Sequence, residues 1–354
     1  MHINLMVIFL KKIIIFCICF LFLISINGNK VYSMDYYSRS YVVMDYNTGE
    51  ILESKDKDLV RSVASISKIM TAIVAIENSS LDAYIEVNDD ILKAYGSSIY
   101  LKQGEIVKME DLLYGLMLRS GNDAAVTIAR GVSGSVDKFV DMMNQKAKVI
   151  GMNSSLFHNP SGLDVDDEGN LSTSYDMALL MKYALDNNIF RKIVSTKEYK
   201  SANHGLWVNK NKLLRQYEYT SGGKTGFTTK ARRTLVTSAK RDEMELIIVT
   251  LDCGEDFSMH KSLYEKYFNN YKTFKLLKKG SNDFEEYELI CDKAITITLE
   301  KQQLENKQVI YKINENFARV ILKDKKEEKH LGECSVTIHK KINKKSWWKR
   351  IFRK

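Results

Sequence analysis

Between residues 41 and 53 apolar and polar positions alternate about the turn residues Asn47-Thr48-Gly49, which predicts a β-hairpin. From Ser65 the period changes. Ile66, Ile69, Met70, Ile73 and Val74 recur at three and four residues, predicting a helix over Ser65 to Ile76. Met109 to Leu118, Asp123 to Arg130 and Val136 to Val149 read as further helices. Asn159-Pro160-Ser161-Gly162 marks a turn before the acidic loop Asp164 to Glu168. Thr173 to Leu185 is helical, with Ser172 or Thr173 as its cap. After Gly222 the period shortens: Arg233 to Ala239 and Met244 to Leu251 read as strands, and Phe257 to Tyr271 as a helix. Helices between early and late strands predict an α/β (α+β) sandwich on one mainly antiparallel sheet.

After Tyr271 the composition shifts. Lys278 to Asp283 is a polar breaker, and strand-like stretches follow near Tyr287–Cys291, Ala294–Leu299, Val309–Ile313, Ala318–Leu322 and Cys334–Ile338. Four regions are expected: an export signal over 1–33, a catalytic domain over 34–272, a small β-rich domain over 273–339 and a basic amphipathic tail over 340–354. In the first, Lys11 and Lys12 precede the apolar run Ile13 to Ile26, too short for a bilayer span but suited to a signal peptide. In the last, Trp347, Trp348, Ile351 and Phe352 share one helical face opposite Lys349, Arg350, Arg353 and Lys354, the pattern of an in-plane membrane anchor.

Charge refines this division. Of the net +9, the first 33 residues contribute +3 and the last 15 contribute +8, leaving −2 for everything between. A basic body that wraps nucleic acid is therefore not expected. Cys253, Cys291 and Cys334 form an odd, sparse set beyond the signal and read as free thiols rather than a Cys291–Cys334 pair. No Cys/His cluster has metal-ligand spacing, so neither metal nor cofactor is expected.

Three short motifs stand in order: Ser65-Ile66-Ser67-Lys68, Ser120-Gly121-Asn122 and Lys224-Thr225-Gly226. Ser-x-x-Lys alone is weak, since it recurs at Ser54, Ser135, Ser221, Ser258 and Ser346; the ordered triple carries the weight. Residues three apart on a helix share a face, so Lys68 can hold its amine against the Ser65 hydroxyl. That amine is a base only if burial or a second cation lowers its pKa, and Lys224 supplies the cation. Ser120 can pass a proton to a leaving amine, and Asn122 can hold a substrate peptide group. Thr225 and Gly226 offer a strand edge for an extended peptide. The N–H groups of Ser65 and Phe227 are the candidates for an oxyanion hole.

This set resembles the signature of penicillin-recognising serine enzymes. The segments Ala64–Ala72, Leu116–Ala125, Asn159–Asp164 and Gly223–Thr228 narrow the resemblance to low-molecular-mass penicillin-binding proteins that are D-alanyl-D-alanine carboxypeptidases, over about residues 38–272. It implies a β-lactamase/transpeptidase-like fold and an exported enzyme at the outer face of the cytoplasmic membrane. Such an enzyme trims peptidoglycan peptides ending in D-Ala-D-Ala and is acylated by β-lactams. Ser65 would be the nucleophile, Lys68 the base, and Ser120 and Asn122 the second wall. Lys224, Thr225, Gly226 and Phe227 would form the substrate strand. The chain departs from the pattern at Ala231-Arg232-Arg233, which leaves Arg233, His260 and Lys261 as alternatives for the carboxylate clamp. Asn170 stands where a histidine is often expected and is read as structural. Gly96-Ser97-Ser98 is read as a turn without a part in the chemistry, Ser67 as a capping or solvent-side residue, and His158 and His204 as loop residues. A β-lactamase on the same scaffold is disfavoured because no Glu-x-x-Leu-Asn loop lies between Asn122 and Lys224. A non-catalytic wall-binding module is disfavoured by the intact Ser65, Lys68 and Lys224.

Overall fold

The computed structural model describes residues 37–338 except 165–167, 285–286, 303–306, 315 and 325–326. The expected signal and basic tail, and the middle of the acidic loop, lie outside the described residues. The alternation at the start becomes β1 (Ser38–Asp45) and β2 (Ile51–Lys55). Their turn is pinned by the buried Asp45 carboxylate, which accepts from the Thr48 N–H at 2.8 Å and its hydroxyl at 3.0 Å. β3 (Arg61–Ser62) leads into a 3₁₀ turn, Ala64–Ser67, and then α1 (Lys68–Asn78). Residues 68–75 of α1 are all buried, as befits a helix apolar around its circumference.

β4 (Tyr84–Glu86) and β5 (Ile106–Lys108) pair across a loop holding a 3₁₀ turn, Asp89–Lys93. The predicted helix from Met109 stops early. α2 (Met109–Tyr114) gives way to a π-helical turn, Gly115–Arg119, which ends at Ser120 with φ 64°. α3 (Asn122–Ser133) and α4 (Val136–Ile150) follow, the latter capped by Ser135 and closed by Gly151. β6 (Leu171–Ser172) pairs with β3. α5 (Ser174–Leu185) starts at the Thr173 cap, whose hydroxyl accepts the Asp176 N–H at 3.0 Å. Among the elements without a sequence expectation are α6 (Asn188–Ser195), the hairpin of β7 (Glu198–Ser201) and β8 (Gly205–Val208), and α7 (Leu213–Gln216).

β9 (Thr220–Thr228), β10 (Arg232–Arg241) and β11 (Met244–Cys253) complete an antiparallel five-stranded sheet ordered β2-β1-β11-β10-β9. Its inner face carries Val42, Met44, Val236, Ile247, Val249 and Leu251, which share one core with α1, α3 and α5. Its outer face is covered by α8 (Asp256–Asn270). Among the described residues no helix is long and apolar enough to cross a membrane.

Seven further strands follow. β12 (Tyr271–Leu277) pairs with β15 (Ile295–Glu300). β13 (Gly280–Phe284), β14 (Tyr287–Cys291), β16 (Lys307–Ile313), β17 (Phe317–Asp324) and β18 (Glu327–Ile338) form a sheet ordered β13-β14-β18-β17-β16. The polar stretch read as a breaker is thus partly strand. Apolar residues here gather in a cluster separate from the first. One expectation is corrected outright: Cys291 and Cys334 are disulfide-bonded, and only Cys253 is free among the described cysteines. Antiparallel pairing of β14 with β18, with Ile290 opposite Ser335, brings the two sulfurs together, a register that spacing alone does not reveal.

Candidate active site

The 3₁₀ turn before α1 places Ser65 and Lys68 on one face. Ala64 takes a left-handed φ of 51°, a strained conformation for a residue with a Cβ. Lys68 is fully buried, and its Nζ lies 2.9 Å from Ser65 Oγ and 2.7 Å from Asn122 Oδ1. Nζ also donates to the carbonyl of Ser161. Burial first, then the charges of Lys224 and Lys210, push the Lys68 amine well below the usual lysine range, against a smaller opposing pull from Asp123.

Lys224 comes from the inner face of β9. It is equally buried and donates to Ser120 Oγ at 3.0 Å and to the Thr225 carbonyl at 2.7 Å. Burial, then Lys210, pushes its amine down to about 7. The left-handed turn at Ser120 aims that hydroxyl at Lys224 and sets Asn122 at the start of α3. β9 passes close over the 3₁₀ turn: a Cβ added at Gly226 would lie 3.0 Å from Ser65 N and 2.4 Å from Thr234 Oγ1. Glycine therefore permits the approach. Phe227 is 63% exposed at the open edge of β9.

The Ser161 carbonyl reaches Lys68 because of the Asn159-Pro160-Ser161-Gly162 turn. Asn159 Oδ1 accepts the N–H groups of Ser161 at 3.1 Å and Gly162 at 2.7 Å. Asn170, fully buried, clasps the turn in its role as a structural residue. It accepts the N–H of His158 at 2.7 Å and of Asn159 at 3.1 Å, and donates to the Asn159 carbonyl at 2.8 Å. His158 contributes no side chain to this cluster, and His204 is the loop residue expected, in the turn between β7 and β8 with its Nε2 2.6 Å from Glu105 Oε1.

Two readings change with the geometry. The Gly96–Ser98 turn does hold the site: the Ser97 carbonyl accepts the Asn122 N–H at 2.7 Å, and Ser98 Oγ donates to Asp123 at 2.5 Å. Ser67 is buried, not solvent-facing, and donates back to the Ala64 carbonyl at 2.8 Å. Lys210 had no signal in sequence, lying in the polar run Asn209-Lys210-Asn211-Lys212 outside the motifs. It donates to Ser97 Oγ at 2.9 Å and bears electrostatically on both buried lysines.

The three clamp alternatives are not drawn into this cluster. Arg233 lies opposite Phe227 on β10, on the α8 face of the sheet, and its guanidinium engages Asp256 through bonds of 2.5 and 3.2 Å. His260 is sealed between α8 and the sheet, 2.7 Å from Thr237 Oγ1 and 3.0 Å from Thr250 Oγ1; burial holds its imidazole down at about 3. Lys261 is exposed on α8.

A sequence profile of the D-alanyl-D-alanine carboxypeptidase family matches residues 27–255. D-alanyl-D-alanine carboxypeptidase DacF of Bacillus subtilis is 29% identical over 350 residues, covering 90% of this chain and 89% of the relative. DacC of Escherichia coli is 31% identical, covering 87% of this chain and 81% of its own. The crystal structure of penicillin binding protein 5 from Haemophilus influenzae superposes with a TM-score of 0.74 at 26% identity, covering 87% of this chain and 98% of that one. The chain therefore belongs to the D-alanyl-D-alanine carboxypeptidase family.

Proposed function

We propose that this serine-type carboxypeptidase removes the terminal D-alanine of peptidoglycan stem peptides through an ester on Ser65. The observation that carries the reading is the environment of Lys68 Nζ. A neutral amine has two N–H groups and one lone pair. Asn122 Oδ1 and the Ser161 carbonyl are placed to take the two hydrogens, which leaves the lone pair for the Ser65 hydroxyl at 2.9 Å. Burial beside Lys224 favours that neutral form.

Ser65 Oγ attacks the carbonyl carbon of the last peptide bond while its proton passes to Lys68. The oxyanion is held by the N–H groups of Ser65 and Phe227. The C–N bond then breaks, and the departing amine of D-alanine takes a proton through Ser120, which Lys224 orients. Thr225 and Gly226 align the substrate backbone, Asn122 holds its peptide group, and Arg233 serves as a carboxylate contact only by leaving its bonds to Asp256. Water then attacks the ester, Ser65 is released, and the shortened peptide leaves. A β-lactam enters the same route as far as the ester. Release of D-alanine from diacetyl-Lys-D-Ala-D-Ala is the test. Rapid β-lactam turnover without D-alanine release would overturn the carboxypeptidase reading in favour of a β-lactamase.

Residues 1–33 are proposed as the export signal, 34–272 as the catalytic domain, 273–339 as a β-rich domain and 340–354 as an anchor on the outer face of the cytoplasmic membrane. A disulfide at Cys291–Cys334 supports export, since such bonds persist mainly outside the reducing cytosol. The separate apolar cluster supports the division near residue 272.

A further inference from the structure

Asn122 keeps Lys68 in place only while its side-chain amide stays in one orientation. Its Oδ1 faces Lys68 and its Nδ2 donates to the main-chain carbonyl of Tyr95 at 2.5 Å. Tyr95 belongs to none of the three motifs. Its side chain is largely exposed, at 58%, so burial does not hold it. Its phenol reaches across to the carbonyl of Asp164 at 3.1 Å. Asp164 is itself fixed: its Oδ1 accepts from Ser62 Oγ at 2.7 Å, and the preceding Leu163 carbonyl accepts from Asn159 Nδ2 at 2.9 Å.

We propose that Tyr95 is a positioning residue for acylation, a brace from the Asp164 carbonyl through its own main chain to the Asn122 amide, keeping the amide oxygen on Lys68. This rests on the role given above to Lys68. The brace joins the two segments that supply Lys68 with acceptors, the Ser161 turn and the start of α3. The charged groups bearing on Lys68 are Lys224 from β9, Lys210 from the stretch before α7 and Asp123 from α3. None of them bonds the Tyr95 phenol, so removing its hydroxyl acts on Lys68 through the two segments it joins, and an Asn122→Ala background isolates the route through Asn122.

Tyr95→Phe in the whole protein removes the O–H and leaves the exposed ring. Acylation by benzylpenicillin should slow about fivefold, the worth of one net hydrogen bond. In an Asn122→Ala background the same change should add nothing. Lys68, followed by NMR of ¹³C-labelled lysine, should titrate about half a pH unit lower in Tyr95→Phe than in wild type, because the ammonium loses an acceptor. An equal slowing in both backgrounds, or unchanged acylation and Lys68 titration, overturns the brace. A wild-type protein that is never acylated would defeat the activity reading instead, and the Lys68 titration in the two backgrounds would still decide for or against Tyr95.

Discussion

At the scale of single residues, the account turns on lysines kept from water. Lys224 has a folded value of about 7 against 10.5 for an ordinary lysine. The unfolded chain therefore holds the extra proton between those values. The stability this group contributes is complete above the ordinary value and is lost as pH falls toward 7. The melting temperature of wild type should accordingly gain on that of Lys224→Met between pH 7 and pH 9; parallel curves would contradict the depressed value. Gly162 is a second test. It sits at φ 75°, and an added Cβ would lie 2.1 Å from the Ala64 carbonyl oxygen. Gly162→Ala should force the Ser161 turn away from the 3₁₀ turn and sharply reduce penicillin labelling. Retained labelling would mean that the Ser161 carbonyl is not needed. The side chains of the three motifs were legible in sequence because helical and strand periods fix their faces. The Ser161 carbonyl, Lys210 and Tyr95 were not, because a main-chain acceptor or a polar residue outside the motifs leaves no periodic mark.

At the scale of elements, short irregular turns set the site on regular supports. α1, α5 and α8 were predicted from apolar spacing nearly to their ends. The π-helical turn Gly115–Arg119 was not, because its sequence continues the apolar run of α2 and only the left-handed Ser120 shows where the helix yields. The β7–β8 hairpin was missed for the opposite reason: Glu198–Ser201 is mostly polar and one end of its partner is exposed. Asn170 shows how much one buried amide does for such a turn. Asn170→Ala leaves the N–H groups of His158 and Asn159 without their acceptor and should cost about 1–3 kcal/mol in stability. The penicillin acylation rate should fall with it, since the same turn carries Ser161. A chemical-denaturation curve identical to wild type would contradict the clasp.

At the scale of the whole molecule, two apolar clusters meet through polar contacts. Thr298 Oγ1 donates to the buried Asp45 carboxylate at 2.6 Å, and Lys329 pairs with Glu50 at 2.9 Å. The disulfide closes a separation of 43 residues, which in the chain-entropy model restricts the unfolded chain by about 4 kcal/mol. Cys291→Ser with Cys334→Ser should therefore lower the melting temperature of the C-terminal strands while leaving penicillin acylation near its wild-type rate; an equal loss of acylation would show that the two regions are not separable. For the tail, truncation after His339 should abolish flotation with anionic vesicles at low salt, and equal flotation of the truncated chain would exclude the anchor.

The most direct test of the central claim is mass-spectrometric mapping of the protein after brief exposure to a penicillin at neutral pH. The account predicts a single ester on the peptide containing Ser65, absent from both Ser65→Ala and Lys68→Ala although each remains folded by circular dichroism. An ester on any other residue, or full modification of Lys68→Ala, would contradict it.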